Sequence, residues 1–523
     1  MALRVPSKCV AFITLSVLLI AAGAFGQNSE ASTDPVSAEA LRFSAVYSAL
    51  EQHYMEPMDP DHAVFDGGIR GMLSALDPFC AFLDRDQFEL MKQQARGEAL
   101  GFGSVLYVTP GKVVVLQAAQ GSPSARAGVG PGDEIVEING QRIARLDFQS
   151  LVDLLKRSRS QPVRLGVIHP GKVVAVDLDL KPAEVALPSV DKVFLWSDGI
   201  AYVHISGFEG KTPQEVAEGL DHLGGSRLKG LLLDLRDNHG GMVESAVGTA
   251  SIFLKPDTLV LTTRGRSMPE KVYHSAQLST NCDLPIVVLV NGSTASAAEV
   301  LAAALQEHDR ALIAGEPTFG KGVIQAVTEL SEQTGLALTA GQYFTPSGRS
   351  IQRPLPGTAL TFASLDNAAT PQAKVAAGTD PPADPRTFHT DDARPVTAGG
   401  GVTPDVPVPG LTLDPWLTFV TQRGYLTNFA EAYLSTHTRI SDSFEPPPEM
   451  LGALKDALQR NGVRVPDEYW SEDQDYLRLR LKVELTNLVF GLAKGDEVET
   501  KGDPQAQQAA KLFPRIPAIL KTK

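Results

Sequence analysis

Residues 285–299 of the chain read Pro-Ile-Val-Val-Leu-Val-Asn-Gly-Ser-Thr-Ala-Ser-Ala-Ala-Glu. Positions 286 to 290 are all apolar, which predicts a strand buried on both faces, as in a parallel sheet. The Asn-Gly-Ser-Thr turn and the alanine-rich run that follow predict a helix beginning near Ala297. The stretch therefore predicts a strand–turn–helix unit of an α/β domain.

The flanking sequence repeats this pattern. Residues 230–235 form a second apolar run, which ends in a glycine-rich turn before a helix predicted from Met242. A third strand is predicted at residues 311–314. Strands that alternate with helices indicate a parallel sheet covered by helices. Because ligands of such sheets bind at the carboxyl ends of the strands, we expect the catalytic candidates there.

Ser296 is the first such candidate. A serine between a strand and a helix is held on a sharp turn beside helix amides that lack intrahelical partners, and such amides can stabilise an oxyanion. The alternative is purely structural, because Ser296 followed by Glu299 also matches a capping box. A catalytic serine would further need a group that activates its hydroxyl.

Lys321 is the candidate for that group, because it lies between Gly320 and Gly322 near the end of the third strand. A lysine serves as a general base when desolvation lowers its pKa, and neighbouring glycines allow a close backbone approach. Gln325 follows four residues later, and its amide oxygen could orient the lysine. The alternative is a solvated lysine in a β-turn.

Several other kinds of site lack their sequence patterns. Gly322 follows Lys321 where a phosphate-binding loop requires Ser or Thr, and the chain contains neither Gly-x-Ser-x-Gly nor His-Glu-x-x-His. The three cysteines, Cys9, Cys80 and Cys282, do not have the spacing of a zinc site. The sequence thus predicts no metal and no cofactor, and it leaves a Cys80–Cys282 disulfide open.

Length and charge restrict the remaining possibilities. The 523 residues correspond to about three or four domains at roughly 150 residues each. The 47 Lys and Arg residues face 61 Asp and Glu residues, a net charge of −14 that excludes an electrostatic footprint for nucleic acid.

Residues 1–26 have the pattern of a secretory signal peptide. Arg4 and Lys8 precede an apolar run from Val10 to Ala22, and Ala24-Phe25-Gly26 provides a small-x-small cleavage site. We therefore expect an exported protein, periplasmic or otherwise extracytoplasmic, with no stable membrane span once the signal is removed. The alternative is a retained anchor that associates the protein with a membrane.

The rest of the chain divides by composition and periodicity. Residues 38–95 have helical periodicity, whereas residues 98–182 have short β-runs and one amphipathic helix around residues 148–156. Residues 353–398 are rich in Pro, Ala, Thr, Gly and Asp, which predicts a flexible insertion. Residues 399–412 regain strand character, and residues 413–523 are predicted to be helical without identifiable chemistry.

Several motifs occur together in one order along the chain. They are Leu76-Asp77-Pro78 through Phe88, residues 100–103 (Leu-Gly-Phe-Gly), residues 121–128 and 131–140, residues 235–241 (Leu-Arg-Asp-Asn-His-Gly-Gly), residues 291–299, residues 319–325 and residues 343–352. In this combination the chain resembles the carboxyl-terminal processing peptidases of family S41, the tail-specific serine proteases with a Ser-Lys dyad and a PDZ domain.

The resemblance implies a multidomain α/β fold with a crotonase-like peptidase core. By this resemblance residues 183–352 form the peptidase core with residues 399–412 as its return strand, residues 98–182 form an inserted PDZ domain, and the two terminal regions are helical. Ser296 maps onto the nucleophile, Lys321 onto the general base and Gln325 onto the residue that positions the lysine. The oxyanion donors would be the amide of Ala297 and that of Gly240 or Gly241.

The implied function is a serine endopeptidase that binds the C-terminal tails of proteins through the PDZ domain. Leu100, Gly101, Phe102 and Gly103 would bind the terminal residue of the substrate by strand addition; the alternative for Phe102 is a core residue. The expected partners are protein substrates with apolar C-terminal tails, and an adaptor protein is left open. Two rival functions are a PDZ-bearing binding protein whose peptidase core has decayed and a crotonase-type acyl-thioester enzyme.

Overall fold

A computed structural model describes residues 2–4, 17–18, 35–60, 62–96, 98–197, 199–278, 283–330, 333–355, 387–437 and 440–520. Most of the predicted signal peptide therefore lies outside the described residues, as does Cys282. Within residues 1–26, two short strands are described, β1 (Ala2–Arg4) and β2 (Val17–Leu18).

The N-terminal region is mainly helical, as its periodicity predicts. Its helices are α1 (Pro35–His53), a π-helical segment His62–Ile69, α2 (Arg70–Ser74) and α3 (Arg85–Arg96). A short strand, β3 (Ala81–Leu83), lies between α2 and α3. Gly-rich Phe-Asp-Gly-Gly lies within the π-helical segment, and the Asp77-Pro78 turn separates α2 from β3.

Residues 98–182, the expected PDZ domain, contain an antiparallel sheet, a further strand outside that sheet and two helices. Its strands are β4 (Glu98–Gly101), β5 (Ser104–Thr109), β6 (Lys112–Ala118), β7 (Glu134–Ile138), β8 (Gln141–Arg142), β9 (Val163–Ile168) and β10 (Val176–Leu180). Its helices are α4 (Pro123–Arg126) and α5 (Phe148–Ser158). Alternating burial along β5 places Leu106 and Val108 in the core of the domain, because successive strand side chains point to opposite faces.

The peptidase core is built on a largely parallel sheet. Its strands are β11 (Ala183–Ala186), β12 (Val190–Ser197), β13 (Ile200–Ile205), β14 (Gly230–Asp234), β15 (Leu259–Arg264), β16 (Lys271–His274), β17 (Ile286–Val290), β18 (Leu312–Gly315), β19 (Val323–Glu329) and β20 (Gly335–Phe344). Its helices are α6 (Thr212–Leu223), α7 (Val243–Phe253) and α8 (Ala297–Glu307).

Three more strands follow later in the chain. They are β21 (Phe388–His389), β22 (Pro395–Val396) and β23 (Val406–Pro407). The main sheet has the order β12-β13-β14-β17-β18-β23, with parallel pairing from β13 onward. Every residue of β14, β17 and β18 is buried, which explains why these strands read as unbroken apolar runs.

A second sheet lies beside the main one. It has the order β16-β15-β20-β19-β2, and β3 of the N-terminal region pairs with β20. β4 pairs with β11, which joins the start of the PDZ domain to the start of the peptidase core. Both connections bring segments that are distant in sequence to the edges of the core.

Part of the predicted flexible insertion is structured. Residues 356–386 lie outside the described residues, but residues 387–398 contain the hairpin β21–β22. Arg394 fixes this segment by ion pairs with Asp309 and Asp405. Charged side chains outside the segment thus supply contacts that its own composition does not indicate.

The C-terminal region is helical, as predicted, and contacts two other parts of the protein. Its helices are α9 (Pro415–Gln422), α10 (Tyr425–Thr436), α11 (Pro448–Arg460), α12 (Asp467–Glu472), α13 (Gln474–Phe490), α14 (Leu492–Gly502), α15 (Pro504–Ala510) and α16 (Ile516–Leu520). Val114 and Leu116 of β6 share a hydrophobic cluster with α9–α14, whereas α15 and α16 cover one face of the main sheet.

The opposite face of the main sheet is covered by α6, α7 and α8. The fold is thus a helix-covered α/β core with an inserted PDZ domain and helical terminal regions. In the part of the chain that the structure describes, none of the helices combines the length and the apolarity needed to cross a membrane.

Candidate active site

Ser296 lies at the point where the turn after β17 enters α8. Its side chain is fully buried, and its backbone has φ 57° and ψ −119°. A helix N-cap ordinarily has extended backbone, so this conformation is not that of a simple cap. A non-glycine residue in such a region costs about 1–3 kcal/mol, and such strain concentrates at functional sites. The turn thus holds the serine in a geometry that capping alone does not require.

Glu299 connects the serine turn to the lysine loop. Its Oε2 accepts the backbone N–H of Ser296 at 2.9 Å and that of Lys321 at 2.8 Å. Its Oε1 accepts the N–H of Gly320 at 2.7 Å and the hydroxyl of Thr318 at 2.5 Å. Because one carboxylate oxygen accepts both N–H groups, the backbone nitrogens of Ser296 and Lys321 are separated by at most the sum of these two hydrogen-bond lengths.

The carboxylate of Glu299 is fully buried. Burial raises the pKa of Glu299, while the hydrogen bonds from Thr318, Lys321, Ser296 and Gly320 oppose that rise. The sequence identified Glu299 only as the partner in a capping box. The Ser296 N–H contact of that box is present, but the same carboxylate also organises a loop about 20 residues away, which the Ser-x-x-Glu spacing does not indicate.

Lys321 is almost entirely removed from solvent, with 4% of its surface exposed. Desolvation lowers the pKa of Lys321 to about 8, against the opposing effect of the Glu299 and Asp77 carboxylates. The Nζ donates to Gln325 Oε1 at 2.9 Å. The predicted contact between the lysine and Gln325 is therefore present, and a substantial fraction of the amine is neutral near pH 8.

The N-terminal region completes the surroundings of the lysine. The Phe79 ring centroid lies 5.1 Å from Lys321 Nζ, and the Phe79 carbonyl accepts a hydrogen bond from Gln325 Nε2. This bond fixes the amide so that its oxygen faces the lysine. Asp77 Oδ1 in turn accepts the N–H groups of Phe79 and Cys80. Sequence analysis used this segment only as a family motif and missed its contact with the lysine site, because nothing local indicates contact with residue 325.

The glycine-rich turn after β14 lies against the serine. A methyl group on Gly240 would lie 2.8 Å from Ser296 Cβ and 2.9 Å from the Ala295 carbonyl, so only glycine fits there. The Gly240 N–H donates to Asn238 Oδ1 at 2.8 Å. Among the hydrogen bonds of the described residues, none engages the N–H of Gly241 or that of Ala297.

Asparagines fix the two turns relative to each other. Asp237 N–H donates to Asn291 Oδ1 and Asn291 Nδ2 donates to Asp237 Oδ1, each at 3.0 Å. The Ala295 N–H donates to the carbonyl of Asn238 at 2.9 Å. The turn that carries Gly240 and the turn that carries Ser296 thus form one hydrogen-bonded unit.

The four PDZ residues singled out by the sequence lie at the end of β4 and in the connection from β4 to β5. Leu100 and Gly101 belong to β4, whereas Phe102 is 3% exposed and packs in the core of the PDZ domain. Gly103 has φ 74°, and a methyl group there would lie 2.3 Å from Ser122 Cβ. A cavity of about 20 Å³ lies below this end of β5, lined by residues that include Phe102, Leu106 and Ile138. Its volume suffices for about one water molecule.

The described residues contain no group of three or more His, Cys, Asp or Glu side chains placed to hold a metal ion. The chemistry that the site offers is that of an alcohol, an amine of lowered pKa and two amides at a sharp turn. This set fits acyl transfer through a covalent intermediate.

Two family models match parts of the chain. Residues 199–359 match the model of peptidase family S41, and residues 114–168 match the model of a PDZ domain. The carboxy-terminal-processing protease of Bartonella bacilliformis is 32% identical over 349 residues, which cover 66% of this chain and 79% of that protein. The chain belongs to peptidase family S41.

Other members of the family are similar over shorter stretches. The carboxyl-terminal-processing protease of Synechocystis sp. is 32% identical over 291 residues, covering 54% of this chain and 68% of that protein. Among solved structures, the photosystem II D1 C-terminal processing protease is 31% identical over 59% of this chain and 83% of that one, with a TM-score of 0.35. The chain described here, as a member of family S41, is a serine-type peptidase with a PDZ domain. Its residues 413–523 lie beyond both family models.

Proposed function

We propose that this S41 peptidase cleaves protein substrates by a Ser296–Lys321 dyad, after its PDZ domain has bound the C-terminal tail of the substrate. The observation that carries the proposal is the shared carboxylate of Glu299, which binds the backbone N–H of both Ser296 and Lys321. A base and a nucleophile held in register through one buried group need little rearrangement to react.

The proposed reaction begins with removal of the Ser296 hydroxyl proton by neutral Lys321. The alkoxide attacks the carbonyl carbon of the scissile bond, and the resulting oxyanion is stabilised by the N–H groups of Ala297 and Gly241. We choose Gly241 over Gly240 because the Gly240 N–H already has Asn238 as its acceptor. The protonated lysine then gives its proton to the leaving amine, and water hydrolyses the acyl-enzyme.

Gln325 and Phe79 act on the lysine. Gln325 holds Nζ by its amide oxygen, and the Phe79 carbonyl prevents that amide from turning. Burial keeps water from the amine, which supports the neutral form that a general base requires.

Tail binding would occur along β5, whose outer edge pairs with β1 of the predicted signal peptide in the structure. Once the signal peptide is removed, a substrate C-terminus would add as a strand along this edge, and its carboxylate would reach the backbone of residues 100–103. The cavity lined by Phe102, Leu106 and Ile138 would then open to admit an apolar terminal side chain. Export through the predicted signal peptide would place the enzyme among extracytoplasmic proteins.

The test compares Ser296→Ala, Lys321→Ala and the double variant on a folded protein that carries an apolar C-terminal tail. Each single variant should abolish turnover and the double variant should lose nothing further, because a dyad fails as a unit. Near-normal kcat in Lys321→Ala would contradict the assignment of the base.

A second substrate with the same cleavable segment but without the apolar tail separates binding from chemistry. Its cleavage should show a much higher KM with similar kcat at saturation, because the tail contributes effective concentration. Equal KM for both substrates would contradict tail recognition, and wild-type protein inactive on both would favour a decayed binding protein.

A further inference from the structure

The C-terminal region contacts the turn that carries Gly240 and Gly241 through the largely buried side chain of Arg236. Arg236 lies two residues after the end of β14 and begins the turn that carries Gly240 and Gly241. Its Nη1 donates to Asp503 Oδ2 and, at 2.8 Å, to Gln505 Oε1. Both acceptors lie where α14 ends and α15 begins, beyond the segment that matches the family model.

The other side of the guanidinium is fixed by the core. Asp234 accepts from Arg236 Nε at 2.9 Å and from Nη2 at 2.6 Å, and it also accepts the Tyr202 hydroxyl at 2.7 Å. Although burial opposes it, the Arg236 guanidinium lowers the pKa of Asp234 to about 2. Arg236 is therefore clamped between a carboxylate of the main sheet and two acceptors of the C-terminal region.

The C-terminal acceptors are themselves rigid. Asp503 caps α15 by accepting the Gln505 N–H at its Oδ1, which leaves Oδ2 for Arg236. Gln505 is 3% exposed and donates its Nε2 to the carbonyl of Val408 at 2.7 Å. Ala506 and Ala509 of α15 pack into the hydrophobic cluster on the main sheet. Packing on both sides thus gives the two acceptors a fixed position relative to β14.

The conformation of the backbone that follows Arg236 depends on where the Arg236 side chain is held. The Arg236 carbonyl lies 3.1 Å from His204 Nε2, and the next residue, Asp237, has φ 57°. Such a strained turn persists only where its surroundings over-determine it. Asn238 follows and receives the Gly240 N–H, so a shift of Arg236 would move the glycines relative to Ser296.

We infer that Asp503 and Gln505 are positioning residues for the oxyanion turn, acting through Arg236. This inference rests on the proposed role of the turn in catalysis. The C-terminal region then affects the reaction in the core by fixing the position of the oxyanion turn. A displacement of about 1 Å at an active site is enough to lower a rate by about 100-fold.

The test uses Asp503→Asn, which retains a capping oxygen for the Gln505 N–H but removes the charge that faces Arg236. We expect kcat to fall by roughly 10- to 100-fold on the tailed substrate, with KM and the acid limb of the pH profile unchanged. An unchanged KM excludes damage to the tail-binding site, and an unchanged acid limb excludes a change in the pKa of Lys321. A fall in kcat alone therefore indicates a misplaced oxyanion turn. A tenfold loss corresponds to about 1.4 kcal/mol of transition-state stabilisation.

The matched control is Glu499→Gln, which breaks an ion pair with Arg480 within the same region but away from the turn. Its kcat should equal that of the wild type. Gln505→Met provides a second variant should Asp503→Asn unfold, because it removes one acceptor of Arg236 without changing a charge. It should lower kcat in the same way, and activities are compared per folded molecule.

Three results would overturn the inference. They are a loss of less than tenfold in kcat for the folded variants, an equal loss in Glu499→Gln, or a change confined to KM. Ser296→Ala is run beside them. If it retained activity, the proposed function would fail, whereas inactivity of Ser296→Ala with normal Asp503→Asn would overturn the positioning role alone.

Discussion

Replacing Glu299 by glutamine should damage both stability and catalysis. The four donors to Glu299 are divided equally between its two carboxylate oxygens. Oε2 accepts the N–H groups of Ser296 and Lys321, whereas Oε1 accepts the Thr318 hydroxyl and the Gly320 N–H. If the NH₂ group of the glutamine takes the place of Oε2, it faces two backbone N–H donors. In the other orientation it faces the Gly320 N–H and the Thr318 hydroxyl, and that hydroxyl can rotate to accept a hydrogen bond. The second orientation is the better one, and it still loses the hydrogen bond from the Gly320 N–H.

The expected cost follows from this count. A hydrogen bond to a charged group contributes roughly 1.5–3 kcal/mol, so loss of the Gly320 bond should lower the free energy of unfolding by about 1.5–3 kcal/mol. The neutral amide avoids the desolvation that raises the pKa of Glu299, which moves the expected value toward the lower end. Because the residue before Lys321 loses its anchor, kcat should fall as well.

Glu215→Gln is the matched control. Glu215 accepts three hydrogen bonds, from Ser189 N–H, Ser189 Oγ and Val190 N–H, and all three end on Oε2. A glutamine can place its oxygen there and keep them all, so the loss should be only about 1 kcal/mol. The two variants thus share one chemical change but differ in how the donors are divided.

The assay measures the free energy of unfolding of the two variants and the wild type by denaturant titration. The kcat of each protein is then measured without denaturant at a pH near 8. The reasoning would be refuted if Glu299→Gln and Glu215→Gln lost the same stability. It would also be refuted if folded Glu299→Gln cleaved the tailed substrate at the wild-type rate, since the shared carboxylate would then not set the dyad.

Three further predictions concern the same site. Since Lys321 must be neutral to act and its pKa is lowered to about 8, kcat/KM should rise about tenfold per pH unit below pH 8 and level off above it; a profile that is flat from pH 5 to 9 would contradict a lysine base. Asp77→Asn keeps the Oδ1 that binds the N–H groups of Phe79 and Cys80 but removes a carboxylate that raises the Lys321 pKa, so the acid limb should move to lower pH. A shift to higher pH in that titration would show that the charge of Asp77 does not act on the lysine. Gly240→Ala should abolish turnover, because its methyl group would meet Ser296 Cβ at 2.8 Å, and a purified, folded variant with normal kcat would disprove the close approach.

Much of the candidate site could be predicted from local sequence. The apolar run 286–290 followed by the turn at 291–296 predicts both the buried strand and the helix start, because such a run is buried in a parallel sheet and an alanine-rich segment after a polar turn favours a helix. The Lys321–Gln325 contact was expected from a spacing of four residues, and the structure shows it.

Other features were beyond local reasoning. The ordered hairpin at residues 388–396 depends on Asp309 and Asp405, which hold Arg394 from outside the hairpin. A composition rich in Pro, Thr and Asp indicates weak burial of apolar area, but it does not show which distant carboxylates will pair with a single arginine.

The sequence by itself determined the α/β core, the position of Ser296 at a strand–helix junction and the family to which the chain belongs, because periodicity and short motifs act over a few residues. Only the tertiary structure decided that Glu299 joins Ser296 to Lys321, that Phe79 orients Gln325 from 246 residues away, and that Asp503 reaches Arg236. These contacts depend on how sheets, loops and helices pack, and a buried hydrogen bond between distant residues leaves no mark in the local pattern of either one.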